Sequence, residues 1–303
     1  MTLALQVTLA ELQGLQAAAR HLQLDQLYRR GHQASSGHAG PRTGRGLEFR
    51  EIRSYQPGDD LRYLDWKVTA RRGEPYTRTF HEEHRRPLML FVDLASQLQF
   101  GQAGSKAVLA ARVAGLLGWS ALQGKDQVGG WIETDQQRYW QAPVDRPQTY
   151  SPWLARLADC TAQLADMQLR PAGQLDAALD AFARRLPRGS LVMLISDFVG
   201  WQSAVLLKQL VRRHPVQVLH LTDPLDHTLP ADAGPVWLNG QFERVSKHLQ
   251  QQWSEAFHAR QQALRQALGQ SGSYLQLDTS SGSNWMEQLF SRQSYPQTTG
   301  IFA

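Results

Sequence analysis

Residues 44–101 read GRGLEFREIRSYQPGDDLRYLDWKVTARRGEPYTRTFHEEHRRPLMLFVDLASQLQFG, a stretch in which turn residues, opposed charges and aromatic side chains crowd ahead of one apolar run. Pro57-Gly58 is a turn dipeptide, and Asp59 and Asp60 follow where a helix start needs side-chain acceptors for its unpaired N–H groups. A short helix is therefore expected over Leu61 to Lys67. Glu48, Asp59, Asp60 and Asp65 stand against Arg45, Arg50, Arg53, Arg62 and Arg71, with Tyr55, Tyr63 and Trp66 between them, so the segment predicts an ordered network. Pro75 to Glu83 alternates polar with aromatic or β-branched residues and reads as an extended strand.

From Leu88 onward the pattern changes. LMLFVD, VGGWIET, SLVMLISD and PVQVLHL are strand-length apolar runs separated by helical stretches at Ser105 to Gln123, Tyr150 to Leu164, Gln174 to Leu186 and Gln202 to Arg213. Such alternation predicts an α/β fold with a mostly parallel sheet covered by helices on both faces. Gln136 to Trp140 fits an antiparallel partner for Gly129 to Thr134. Near the C-terminus come a strand at Pro235 to Leu238, a Gln-rich helix at Val245 to Leu268 with a core-facing stripe, a last strand at Ser273 to Leu277 and a closing helix at Asn284 to Arg292. Upstream, Leu5, Leu9, Leu12, Leu15 and Leu22 give Leu3 to Tyr28 an amphipathic helical stripe, and Gly31 to Gly46 reads as an exposed loop. The division this implies is 1–86, holding the N-terminal helices, loop and charged segment, and 87–303, the α/β domain.

The ordered set Gly44, Gly46, Glu48, Phe49, Arg53, Tyr55, Pro57, Gly58, Asp59, Asp60, Arg62, Asp65, Trp66, Ala70, Arg71 and Asp93 resembles the signature of the bacterial family called domain of unknown function 58. The resemblance implies a von Willebrand factor A-like, Rossmann-like sheet. It also implies association with AAA+ ATPases of the MoxR type. In von Willebrand A domains a metal-ion-dependent adhesion site sits at the strand ends, built from D-x-S-x-S, a loop threonine and a later aspartate. Here the first motif is Asp93-Leu94-Ala95-Ser96-Gln97, so both serine positions lack a hydroxyl, and Gln174 stands where the threonine would be. Asp93, Gln97, Gln174 and Asp197 are the residues an ion would have to use. Magnesium needs near-octahedral oxygen coordination, so the site is read as a metal-free vestige and no cofactor is expected.

Composition narrows the function classes. A chain of 303 residues with 42% hydrophobic and 19% charged content can bury a sizeable core. The apolar runs fall far short of the roughly 20 residues a membrane span needs. The N-terminus lacks an early basic region and carries Glu11 inside its apolar part, against a secretory signal, and one cysteine, Cys160, excludes an internal disulfide. A cytoplasmic location without membrane insertion is the expectation, with Cys160 a buried packing residue. The segment from Arg29 to Arg86 has 13 basic and 8 acidic residues and holds all of the net +5. That excess suits an acidic protein partner or nucleic acid, but no nucleic-acid-binding motif accompanies it.

Catalytic signals are weak. No phosphate loop, dinucleotide fingerprint or nucleophile elbow occurs, and His81-Glu82-Glu83-His84 is not the zinc-protease spacing. The first expectation is a non-enzymatic adaptor or co-chaperone that binds an AAA+ ATPase, or its client complex, through Arg45, Glu48, Arg53, Tyr55, Asp59, Asp60, Arg62, Asp65, Trp66 and Arg71. The alternatives are a divalent-metal-dependent phosphoester hydrolase using Asp93 and Asp197, and a nucleic-acid-binding protein.

Overall fold

The computed structural model of the chain describes residues 6–20, 22, 47–56, 59–82, 87–99, 101–164, 170–234, 236–238 and 241–290. In chain order these form α1 (Leu9–Ala19), β1 (Leu47–Ser54), α2 (Trp66–Arg72), β2 (Tyr76–Glu82), β3 (Pro87–Asp93), α3 (Lys106–Gln123), β4 (Gln127–Glu133) and β5 (Arg138–Val144). There follow α4 (Pro147–Ala162), α5 (Gln174–Ala183), β6 (Leu191–Ser196), α6 (Ala204–Arg213), β7 (Val216–Thr222), α7 (Pro224–His227), β8 (Val236–Leu238) and β9 (Gln241–Glu243). The last are α8 (Lys247–Leu268), β10 (Ser273–Asp278) and α9 (Trp285–Phe290). Two compact units result, Met1–Ser35 with Arg86–Ala303, and Ser36–Arg85.

The larger unit is built on a six-stranded sheet of order β10-β7-β6-β3-β4-β5, parallel throughout except for β5, which runs antiparallel to β4. From β3 the sheet grows through β4 and β5 on one side and through β6, β7 and β10 on the other, so the order reverses between β3 and β6. In open sheets the crevice for ligands opens at that reversal, beyond the carboxyl ends of the strands. β3, β6 and β7 are buried on both faces, which is why they read as continuous apolar runs. Strand alternation then splits them. Leu88, Leu90 and Val92 enter one core with α1, α3 and α4, while Met89 and Phe91 enter the other with α5, α6 and the end of α8.

The central helix α3 is buried along most of its length. A Cβ at Gly118 would lie 1.9 Å from the Tyr150 hydroxyl oxygen, and that hydroxyl donates to the Ala114 carbonyl at 3.2 Å. Only glycine lets the two helices approach so closely. Against α3 and α4 lies α1, whose Leu12 is fully buried. Trp119 Nε1 donates to the Leu12 carbonyl at 2.9 Å, Val7 N donates to Thr161 Oγ1 at 3.1 Å, and Arg112 pairs with Glu11 at 2.6 Å. Helix α1 therefore groups with the α/β unit, whereas the sequence division at 86 placed it with the charged segment. The helix covers 9–19 of the amphipathic stretch expected over 3–28, of which 3–5, 21 and 23–28 lie outside the described residues.

The smaller unit holds the antiparallel pair β1 and β2, with a register shift between Phe49 and Glu51. That bulge breaks the period-two pattern and hides β1 from a sequence reading. The single helix expected over 61–67 is instead two pieces. A 3₁₀ turn at Leu61–Tyr63 starts on Asp60, Leu64 is extended, and α2 starts anew on Asp65. Gly73, at φ 76°, ends α2 in the left-handed conformation. No helix of the described residues is long and apolar enough to cross a membrane.

Candidate functional site

At the reversal point β3 ends on Asp93 and β6 ends on Ser196, followed by Asp197. Both aspartates are buried, and neither lacks a cation. The Arg170 guanidinium meets Asp93 through both terminal nitrogens, Nη1 to Oδ2 at 3.0 Å and Nη2 to Oδ1. The two side chains are 1% and 0% exposed, so the pair is sealed from water. Ser196 Oγ donates to Asp93 Oδ2 at 2.7 Å and Ala95 N to Oδ1 at 3.2 Å, which fills the remaining lone pairs.

Asp197 faces the Lys106 ammonium at 3.2 Å, and the same nitrogen lies 3.0 Å from Asp226 Oδ1 and 3.1 Å from Oδ2. Lys106 is the first residue of α3, the positive end of a helix dipole, where a lysine is unfavourable unless acids surround it. Burial lowers the pKa of the ammonium, but Asp197 and Asp226 outweigh that effect and raise it, so Lys106 stays charged. One ammonium serves two carboxylates, and they divide unequally. Burial opposes ionisation of Asp197, yet Lys106 and the Val199 N–H hold its pKa below the ordinary value. Asp226 moves the other way, pushed up by burial that Lys106 only partly offsets, with Asp197 adding to the push.

Gln97 joins the two pairs. It lies in the 3₁₀ turn Ser96–Gln99, accepts the Arg170 backbone N–H at 3.1 Å on Oε1, and donates from Nε2 to Asp197 Oδ1 at 3.2 Å and the Val199 carbonyl at 3.4 Å. The acids at the other strand ends are satisfied too, one by a cation and one by neutral donors. Glu133, at the end of β4, accepts from Arg138 at 3.1 Å and from Trp131 Nε1 at 2.8 Å. Asp223, beyond β7, accepts the N–H groups of Gln102, Ala103 and Leu225 together with the Thr279 hydroxyl. His220 on β7 completes the interior, its Nδ1 2.6 Å from the Tyr274 hydroxyl and its Nε2 3.1 Å from the Asp197 carbonyl. A carbonyl can only accept, so Nε2 carries the proton and Nδ1 accepts from Tyr274. Burial, with Arg260 and Lys106 nearby, takes its pKa from 6.5 down to about 3.

A divalent ion at this place would need converging oxygen donors. The residues present do not fit. Ala95 offers no side-chain oxygen, Gln97 turns its amide nitrogen to Asp197, and the oxygens of Asp93 and Asp197 already meet Arg170 and Lys106. Gln174 opens α5 and its side chain has no place in the hydrogen-bond network of the described residues. Its neighbour Asp176 accepts from Gln202 N at 3.0 Å and Ser203 N at 2.7 Å, tying α5 to the start of α6. Among the described residues no group of three or more His, Cys, Asp or Glu is disposed to hold a metal. Of the four residues singled out in the sequence, Asp93, Gln97 and Asp197 are joined by hydrogen bonds directly or through Ser196 and Arg170, and the Gln174 side chain is not part of that network.

The charged segment is arranged differently. Asp59 accepts from Arg53 Nη2 at 2.7 Å and from Gln56 N at 2.9 Å, so it closes a turn and does not cap a helix. Asp60 caps the 3₁₀ turn through Arg62 N at 3.0 Å and pairs with the Arg62 guanidinium at 2.6 Å, which holds its pKa down to about 2. Asp65 is buried and accepts the N–H groups of Lys67 and Val68, both at 3.1 Å. Trp66, next to it, is 71% exposed, and Lys67, Ala70, Arg71 and Arg72 are exposed along the same helix. Leu61 is 62% exposed. Tyr55 is half-buried, and its backbone N–H donates to the Pro75 carbonyl at 2.8 Å. Glu48 lies in β1, with its side chain outside the description; Arg45, the Pro57-Gly58 turn and His84 lie outside the described residues.

Sequence reasoning missed Lys106, Arg170 and Asp226. Lys106 had a signal, a positive charge at the positive end of a largely apolar helix. Arg170 had none, because its partner is 77 residues away.

Doubly wound order, one antiparallel edge strand and buried acids at the carboxyl ends of β3 and β6 define a mostly parallel α/β protein with helices on both faces of its sheet. The chain belongs to the family described as Protein of unknown function DUF58, whose model matches residues 51–267. An uncharacterized protein of Mycobacterium bovis is 32% identical over 231 residues, 74% of this chain and 70% of that protein, and an uncharacterized protein of Mycobacterium tuberculosis matches equally. Solved structures that the chain resembles include the following two. The conserved hypothetical protein BatB of Bacteroides thetaiotaomicron has TM-score 0.38 at 13% identity over 67% of this chain and 95% of that one. The SpRpn10 VWA domain has TM-score 0.37 at 10% identity over 72% and 99%.

Proposed function

We propose that this protein is a non-enzymatic interaction module, an adaptor or co-chaperone that works with an AAA+ ATPase of the MoxR type on assembly of a larger complex in the cytoplasm. The exposure of Trp66 carries the reading. A tryptophan 71% exposed at the start of a short, basic helix is free to meet a partner, and tryptophan and arginine are among the residues enriched at the energetic centre of interfaces. The acids around it are spent on holding the backbone: Asp65 caps α2, Asp60 caps the preceding turn, and Asp59 closes the loop before it. The segment thus presents Trp66, Lys67, Arg71 and Arg72 on a pre-shaped support, which lowers the ordering cost of binding. The ATPase as partner comes from the family resemblance.

The hydrolase alternative has little left to use, because its two aspartates lie against internal cations. Isolation of tagged protein from its native cells, with and without ATP, tests the proposal. A near-stoichiometric AAA+ ATPase that is lost on Trp66→Ala supports it. An unchanged partner set with Trp66→Ala, or no ATPase in either condition, overturns it.

A further inference from the structure

We infer that Arg170 and Lys106 stand in for a divalent cation at the head of the sheet, so that the site is neutralised by the chain's own side chains and works without metal. Three features of the geometry carry this. Arg170 occupies both oxygens of Asp93, a bidentate arrangement that leaves no free edge on the carboxylate. Lys106 lies within 3.2 Å of Asp197 and also binds Asp226, an acid supplied from the far side of β7. Gln97 uses its amide as a strut between the two pairs, with oxygen toward the Arg170 backbone and nitrogen toward Asp197. A magnesium or calcium ion requires the opposite polarity, oxygens facing inward and no ammonium within the same shell.

The consequence is a fixed site. An ion exchanges with solvent and leaves its ligands repelling one another, whereas a guanidinium that is 1% exposed and a lysine side chain of the same exposure are covalently held. The charge that joins β3, β6 and α7 is therefore present from the moment of folding and cannot be withdrawn by a chelator. Any partner that docks at this edge meets protein groups rather than completing the coordination of an ion. The inference does not depend on the adaptor reading, since it concerns the interior of the sheet end.

Thermal melting of the full chain in EDTA and in millimolar magnesium, calcium or manganese is the test. The wild-type midpoint is expected to be the same in all four, and a saturable metal-dependent rise would overturn the inference. Arg170→Ala removes the guanidinium from Asp93 and opens that carboxylate and the Ser196 hydroxyl beside it, while the backbone N–H that holds Gln97 stays, so its midpoint is expected to lie below wild type and to rise by about 5 °C in millimolar manganese. A variant that stays flat in manganese would show that Arg170 does not hold an ion's place. Should Arg170→Ala fail to fold, Asp93→Asn with Arg170→Met removes both charges at once. That pair is expected to fold in EDTA with a midpoint near wild type, because a buried ion pair replaced as a whole costs little; failure to fold without metal would overturn the inference.

Discussion

The segment around Asp59–Arg72 and the sheet end around Asp93–Asp197 both crowd acids against bases beside a tight turn, and they use the same chemistry for opposite ends. At the sheet end Asp93, Asp197 and Asp226 are sealed, and each is answered by a cation from a distant part of the chain, Asp93 by Arg170 and the other two by Lys106. In the surface segment the carboxylates answer backbone N–H groups within three residues, and the basic side chains remain in water. Desolvation decides the difference. A buried charge is tolerated only with a partner, so the interior pairs are part of the fold, whereas exposed pairs contribute little stability and leave their arginines available.

The sharpest way to break that contrast is Lys106→Met. It removes the one cation shared by two buried carboxylates, and unfolding in urea should show a loss of about 3–5 kcal/mol. A loss below about 1 kcal/mol would mean that the sheet end is as forgiving as the surface.

Next comes pH. His220 keeps its ring neutral in the fold, with a pKa of about 3 against the ordinary 6.5, while Arg260 and Lys106 oppose its protonation and the Asp197 charge favours it. Below pH 6.5 the unfolded chain takes up a proton that the folded chain refuses, so stability is full above that pH and falls as acid is added down to about pH 3. Between pH 7 and pH 5 the wild type should lose about 2 kcal/mol more than His220→Gln. Equal pH profiles would place the acid sensitivity elsewhere.

Much of the larger unit was legible because burial on both faces leaves an unmistakable mark: LMLFVD and LVMLISD contain no polar residue until the aspartate or serine at the strand end. The antiparallel edge was legible too, from the short link between Thr134 and Arg138. The smaller unit resisted. Its bulge at Phe49/Glu51 destroyed the alternation of β1, and Asp65 was read as one charge in a network when its task is to start a second helix. Asp93 and Asp197 were found by position alone, but their partners were not, since ion pairs that span the fold leave no local pattern. The missing hydroxyls at Ala95 and Gln97 showed that the adhesion-site motif is incomplete without showing which side chains meet Asp93 and Asp197.

On the surface side, Asp65→Ala should be felt locally. Loss of an N-cap costs about 1 kcal/mol, so the amides of Lys67 and Val68 should exchange with deuterium about fivefold faster, while amides of β3 and β6 keep their protection. A change that reached the central strands would make the charged segment part of the sheet's own stability.

The smallest effect on stability, and the most telling for function, is that of Trp66→Ala. Its ring is 71% exposed, so little apolar area is lost from a core, and the unfolding free energy should change by no more than about 0.5 kcal/mol. The helix beneath it should persist, because its start is fixed by Asp65 and its end by Gly73, neither of which uses the indole. If the comparison between the two regions holds, this substitution abolishes binding of the ATPase partner in a protein that melts like wild type. Lys106→Met should do the reverse, weakening the fold and sparing the partner for as long as the chain stays folded. Should Trp66→Ala instead unfold the protein, the indole would belong with the buried pairs as a structural element, and the surface segment would lose its claim to be the interface.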